Sequence, residues 1–374
     1  MSHDFILSPS SNKALAPVCH RQECGESCFT RTAESCFTDA AHPVYKRPSA
    51  PQAVSDILSV LINSWYSLPD KAKAVVDASR NTPSTPTHRW PSSGPAAEGT
   101  SNWKPDQMTD NNPIIVEEER GGVVRVKFNR PHKGNAYTGD MLVQMERLLD
   151  TLSAQGRTRL LVVTGNGRHF QAGADLDWVD EVSRGTPESI LQVSLTTTTV
   201  LHKLNLAPFP TVALINGACF GGGVGIAACC DTAIASSTAS FAISEVLHGQ
   251  APLPIVPQLN SVIGHRNSRR YALTGERFDA NTAKEIGLVH EIVAPDRLED
   301  RGNEIIHAYL RASPSAIART KASFLACEYG GEPATDVASL AQGAAAQRLS
   351  SESAEGLRAF TEKRAPAWYS AQPL

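Results

Sequence analysis

The chain has 374 residues, enough for one large domain with an appendage or for two modest domains, and its 41% hydrophobic and 20% charged content is ordinary for a globular protein. A formal net charge of −3 argues against a nucleic-acid binder, and no apolar run reaches the length that spans a bilayer. The first residues carry neither the basic start and apolar core of a secretory signal nor the Arg-rich bias of a transit peptide, which points to the cytoplasm.

Residues 1–107 are rich in Ser, Pro and Thr and are expected to form a low-complexity, mostly disordered leader, because such composition buries too little apolar surface to offset ordering entropy. Gln52–Ser79 is the exception: Val54, Ile57, Leu58, Val60, Leu61 and Ile62 suggest a short helix there. Four of the eight cysteines, Cys19, Cys24, Cys28 and Cys36, crowd this leader near His20 and His42. Free thiols are expected in the absence of a signal peptide; irregular spacing and the lack of a Cys-x-x-Cys pair argue against zinc. The leader offers no residue that chemistry further along needs. It is expected to be dispensable, and whether it belongs to the native translated protein stays open.

Met108 reads as a domain start. Ile114–Glu118 and Val123–Phe128, joined through Gly121-Gly122, give a hairpin pattern. A helix is expected from about Thr138, with Met141, Leu142, Met145, Leu148, Leu149 and Leu152 on one face. Leu160–Thr164 and Pro210–Ile215 are short buried strands, and the last third is helical apart from a strand near Val289–Val293. Short apolar strands between helices imply a layered α/β core, over residues 108–310, with helices filling 311–374.

Two segments carry the chemistry. Asn216-Gly-Ala-Cys-Phe-Gly-Gly-Gly-Val-Gly follows the strand ending at Ile215 and opens an apolar helix, so its backbone can approach a ligand closely and offer unpaired N–H groups. It is not a dinucleotide fingerprint, since the G-x-G-x-x-G spacing and the later acidic residue are missing. Phe170-Gln-Ala-Gly-Ala-Asp-Leu-Asp-Trp178 also follows a strand and a turn and leads into a helix. Two such backbone donors on one reacting oxygen are what an oxyanion hole requires.

These segments resemble the crotonase, or enoyl-CoA hydratase/isomerase, superfamily. The ordered matches are Asn129-Arg-Pro with Asn135-Ala136, Gly173-Ala-Asp-Leu, Asn216-Gly with Gly221-Gly-Gly, Cys230-Asp231, Phe241-Ala-Ile-Ser-Glu245, Ala272-Leu-Thr-Gly275, Gly287-Leu-Val289, and Glu355-Gly-Leu-Arg-Ala-Phe-Thr-Glu-Lys-Arg364. They cover roughly 108–374 and none of the leader. The resemblance implies the crotonase fold, a ββα spiral core followed by a helical trimerisation region, and a homotrimer or hexamer. It implies an enzyme acting on an acyl-CoA or acyl-carrier-protein thioester without a cofactor; the charge and apolar run lengths given above lead to no nucleic-acid or membrane partner being expected. Position by position, it gives Ala174 and Gly222 as N–H donors to the thioester oxygen and Glu245 as the proton carrier. Lys133 to Ala136 and Ala172 to Leu176, with Asp175 among them, would border the CoA moiety; Lys363, placed in the last helix, would contact a CoA phosphate of its own or a neighbouring subunit.

Each assignment has a plainer alternative. Glu245 would otherwise cap a helix or pair with a base, Lys363 would lie on a solvated helix face, and Trp178, taken to wall the acyl pocket, would be a core residue. Two departures from the family pattern stand out. Gly225 occupies the place of the second glutamate, as it does in the methylglutaconyl-CoA hydratase-like branch that the text around Trp178, Glu245 and Arg269–Asp279 resembles. His248, three residues past Glu245, would share its helical face and assist a proton or bind a substrate carboxylate, or else be a surface imidazole. The expected activity is a lyase, hydrating a branched or polar enoyl-CoA or catalysing the reverse dehydration. Isomerisation, decarboxylation and the dehydratase step of polyketide β-branching are rivals on the same scaffold. A non-catalytic CoA- or RNA-binding scaffold is the alternative of another class.

Overall fold

The structure is a computed structural model describing residues 112–328 and 337–369. The leader's helix near Val54–Ile62 and its four cysteines lie outside the described residues. Strands β1 (Ile114–Glu118) and β2 (Val123–Phe128) form the expected antiparallel hairpin across a turn in which Gly121 and Gly122 both take positive φ. Beyond it, β3 (Leu160–Gly165), β4 (Thr211–Ile215), β6 (Thr232–Ser236) and β9 (Glu291–Val293) add in parallel, giving a six-stranded sheet of order β1-β2-β3-β4-β6-β9. The last strand starts at Glu291, two residues later than the apolar pattern suggests, because Leu288 and Val289 are buried in the loop before it.

Parallel strands need both faces covered, which is why they read as unbroken apolar runs. Alternate residues divide between two cores. Val124, Val126, Leu161 and Val163 face α1 (Gly139–Gln155), whose buried stripe is the predicted one from Met141 to Leu152. Val123, Leu160, Val162, Val212, Leu214 and Ile234 face α7 (Leu298–Arg311) through Leu298, Ile306 and Leu310.

A second, three-stranded sheet, β5 (Cys219–Phe220), β7 (Ser240–Ala242) and β8 (Phe278–Asp279), stands apart from the first. The helices of this part of the chain are α2 (Leu176–Ser183), α3 (Pro187–Asn205), α4 (Gly222–Cys229), α5 (Val256–Thr274) and α6 (Ala280–Glu285), of which α3 packs on α1 and α4. The chain closes with α8 (Pro314–Glu328), α9 (Val337–Arg348) and α10 (Ser351–Thr361). Asp231 ties this region back to the sheet: one of its oxygens accepts from the Thr211 N–H and hydroxyl and from Lys321 Nζ at 2.7 Å.

Lys363 is not in the last helix. That helix ends at Thr361, and Lys363 follows it with φ 54°, the left-handed position at which a helix is stopped. Among the described residues, no helix is long and apolar enough to cross a membrane.

Candidate active site

Three loops meet at the C-terminal ends of β2, β3 and β4, and polar side chains staple them. Asn135, fully buried with φ 60°, donates Nδ2 to the Asn166 and His169 carbonyls and accepts the Arg130 N–H. Asparagine suits this place because it tolerates the left-handed region and carries both donor and acceptor. Arg130 bonds the Ala136 carbonyl at 2.6 Å and Asp175 at 2.8 Å, and Asp175 caps α2 through the Asp177 N–H. Burial works against the Asp175 charge, but the Arg130 hydrogen bond, the Asp177 N–H and the nearby cations outweigh it and hold the carboxyl below its usual range.

This stapling fixes two backbone donors. Tyr137 forms a parallel bridge with Ala174: its N–H bonds the Gly173 carbonyl and its carbonyl accepts the Asp175 N–H. The bridge engages the residues on either side of Ala174 and leaves the Ala174 N–H directed the other way. Gly222 is the first residue of α4, where an N–H has no intrahelical acceptor. Among the described residues neither group has a partner. Both residues are half-buried, while Gly173, Asp175, Gly221 and Gly223 beside them are buried. The segments touch: a Cβ at Gly173, itself at φ 91°, would stand 3.3 Å from the Phe220 carbonyl oxygen and 3.9 Å from Gly221 Cα.

The glycines that open α4 each face a particular neighbour. A Cβ at Gly221 (φ 52°) would lie 3.1 Å from Glu245 Oε1, and one at Gly222 would lie 2.7 Å from Tyr137 Cε1 and 3.4 Å from its hydroxyl. A Cβ at Gly225 would be 2.2 Å from Ile255 Cγ2, so no side chain fits where the second glutamate of the family pattern would stand. Glu245 opens a 3-10 turn, Glu245–His248. It forms no ion pair among the described residues, and its buried Oε2 lacks a hydrogen-bond partner, which speaks against the plain salt-bridge alternative. Burial raises its carboxyl above the ordinary range, partly offset by its own backbone N–H and by His248. Below Gly222 lies a narrow apolar cavity of about 30 Å³ lined by Tyr137, Met141, Gln171, Thr197, Leu201 and Ile226, among others.

Two N–H donors beside a half-buried, unpaired carboxylate and an apolar cavity suit stabilisation of an acyl enolate. Comparison with known proteins agrees. Residues 118–371 match the family model described as enoyl-CoA hydratase/isomerase. The chain belongs to the enoyl-CoA hydratase/isomerase family. It is 32% identical over 253 residues to a Thermus thermophilus protein described as an enoyl-CoA hydratase, covering 67% of this chain and 99% of the relative. It is also 32% identical over 252 residues to the mevalonyl-coenzyme A hydratase of Aspergillus fumigatus, covering 66% and 91%. The crystal structure of an enoyl-CoA hydratase from Shewanella pealeana superposes with a TM-score of 0.64 at 35% identity, over 69% of this chain and 96% of that one. The fold is therefore the crotonase fold, and the protein is an enzyme of this family, whose members act on CoA thioesters.

The other predicted residues are distributed around these loops. Ala136 is buried and Ala172 half-buried, with the Ala172 N–H on the Gly134 carbonyl. Leu176 is 59% exposed at the start of α2. Lys133 pairs with Asp177 at 2.7 Å on the surface. The Asp175 carboxylate is taken up by Arg130 and the α2 cap, so its side chain serves the loop rather than facing a ligand. Trp178 does not line the cavity; it packs edge-on against Tyr137, ring centroids 5.8 Å apart, and against Gly139. His248 is exposed, with Nδ1 3.1 Å from the Ser244 carbonyl. Its turn is 3-10 rather than α-helical, yet the three-residue spacing still puts it on Glu245's side. Lys363 is exposed beyond α10. Sequence reasoning missed Tyr137 and Ile255. The first stood next to the Asn135-Ala136 match; nothing local marked the second, because it acts only through the space it fills.

Proposed function

We propose that this enzyme hydrates an enoyl-CoA, or runs the reverse dehydration. The Ala174 and Gly222 N–H groups would hold the thioester oxygen, and Glu245 would carry the proton. The observation that carries this reading is the convergence of two acceptor-free N–H groups with a half-buried carboxylate, its Oε2 enclosed and without a partner, seated over Gly221. In the hydration direction Glu245 takes a proton from water as the water oxygen bonds the β-carbon. The C=C electron pair moves to the thioester oxygen, where the two N–H groups stabilise the enolate. The enolate then collapses as Glu245 returns the proton to the α-carbon, so one carboxylate balances the addition. Removing one donor of such a pair typically lowers the rate by about 10²–10³.

A branched or polar acyl group is the favoured substrate, by resemblance to the methylglutaconyl-like branch and because one relative is named for mevalonyl-coenzyme A. The closed position at Gly225 leaves a single carboxylate, which equally suits allylic isomerisation, where one base shuttles one proton. Incubating the enzyme with a panel of enoyl-CoAs in H₂¹⁸O, with products read by mass spectrometry, separates the two. Hydration places ¹⁸O on the β-carbon; isomerisation moves the double bond with no oxygen gained, and that outcome would overturn the hydratase reading.

Phe324, Leu340, Leu349, Leu357 and Phe360 of the C-terminal helices and the turn between them are 55–87% exposed in the single chain. So much exposed apolar surface supports assembly into a trimer or a pair of trimers through this region, with Lys363 near a CoA phosphate of its own or a neighbouring subunit.

A further inference from the structure

We propose that the Tyr137 hydroxyl is the second polar group of the acyl site, donating a hydrogen bond to the oxygen at the substrate's β-carbon. That oxygen is the water being added or the hydroxyl it becomes, so the assignment rests on the hydratase reading. The backbone of Tyr137 is strapped to the first oxyanion segment by its bridge to Ala174. Its ring crosses to the second: it stands 2.7 Å from where a Gly222 Cβ would be, and only glycine leaves room for it there. Tyr137 also lines the apolar cavity, so it flanks the path an acyl chain takes from the thioester oxygen into the protein.

The neighbouring polar groups fit this reading. Three of the polar side chains on the cavity wall are Tyr137, Gln171 and Thr197. The Thr197 hydroxyl is committed as a donor to the Val193 carbonyl, and Gln171 Oε1 accepts the Gly173 N–H, which anchors that amide to the loop beside Ala174. The carboxyl that could have stood at position 225 is excluded by Ile255. Glu245 sits over the adjacent glycine, close enough that its charge, added to the larger effect of burial, pushes the Tyr137 phenol up to about 12. The hydroxyl is therefore a neutral donor throughout the working range. Its role is to donate a hydrogen bond, and proton transfer is left to Glu245.

The test is a cycle on ligand and residue. Dissociation constants of butyryl-CoA and of each enantiomer of 3-hydroxybutyryl-CoA are measured by calorimetry in the Glu245→Gln background, which does not interconvert hydroxyacyl- and enoyl-CoA, with and without Tyr137→Phe. One hydrogen bond between neutral groups corresponds to a loss of about threefold to tenfold. Tyr137→Phe should show that loss for the enantiomer the Glu245→Gln background prefers and less than a twofold change for butyryl-CoA. Tyr137→Met, which keeps apolar bulk with a flexible side chain, should reproduce the selective loss if the Phe variant folds poorly. Equal weakening of both ligands would reduce Tyr137 to a packing residue, and no weakening of either would overturn the assignment. These readouts need no turnover. Hydration by the wild type is scored separately, so a failed hydratase reading and a failed Tyr137 assignment give different results.

Discussion

Replacing Glu245 with Gln should move activity and stability in opposite directions. The substitution keeps the shape of a side chain whose Oε1 sits over Gly221 and whose Oε2 is buried without a partner, and it removes only the charge and the basicity. A proton carrier lost in this way lowers kcat by about 10²–10⁴, or about 3–5 kcal/mol of barrier, while KM stays close to that of the wild type. Stability follows from the raised carboxyl. The folded state holds this proton more tightly than the unfolded chain does, so stability falls as pH rises from the ordinary value of about 4.3 through the folded value. Above that value the full cost of the buried charge persists. The amide still lacks a partner, so the variant gains only the desolvation of the charge; each kcal/mol gained appears as about 2–4 °C in Tm. Turnover of an enoyl-CoA and calorimetric melting at pH 4 and pH 8, at one protein concentration, check both halves. Glu245→Gln should melt higher than the wild type at pH 8 and level with it at pH 4. Activity within a few-fold of wild type, or a lower melting temperature at pH 8, would refute the reasoning.

His248 lowers the Glu245 carboxyl, so His248→Gln should shift the acid limb of the kcat/KM profile upward and leave the plateau nearly unchanged; an unmoved limb would deny the coupling. Gly225→Ala drives a Cβ to 2.2 Å from the buried Ile255 and should destabilise by about 1–2 kcal/mol net of the helix propensity it gains. Adding Ile255→Ala should cost less than the sum of the two single changes, and strict additivity in urea unfolding would show that the contact is not the cause. Asp175→Asn removes the charge of a largely buried pair with Arg130 while leaving an amide oxygen for the α2 cap, at about 1–3 kcal/mol by thermal unfolding. Because the Asp175 carboxyl is held low, that stability is present above the unfolded value and is lost only as pH falls through the folded one. Light scattering should find three or six chains, and a clean monomer would count against assembly through the C-terminal helices.

Local pattern determined much of this protein. The hairpin around Gly121-Gly122, the Met141–Leu152 stripe and the buried runs at β3 and β4 were legible because periodicity and turn chemistry act within a few residues. The two glycine-bearing segments and the family were legible because their spacing in the chain survives without coordinates. What the sequence could not supply was contact between distant segments. That Gly225 is closed by Ile255, thirty residues on, depends on how α4 meets the start of α5. That Tyr137 lies over Gly222 and shields the cavity from Trp178 depends on a bridge between loops after different strands. Lys363 is placed in the last helix by the resemblance, yet its left-handed turn is set by where α10 stops. Periodicity reports which face of an element is buried; only packing decides which residue lies across from it, and the distances on which this site depends arise there.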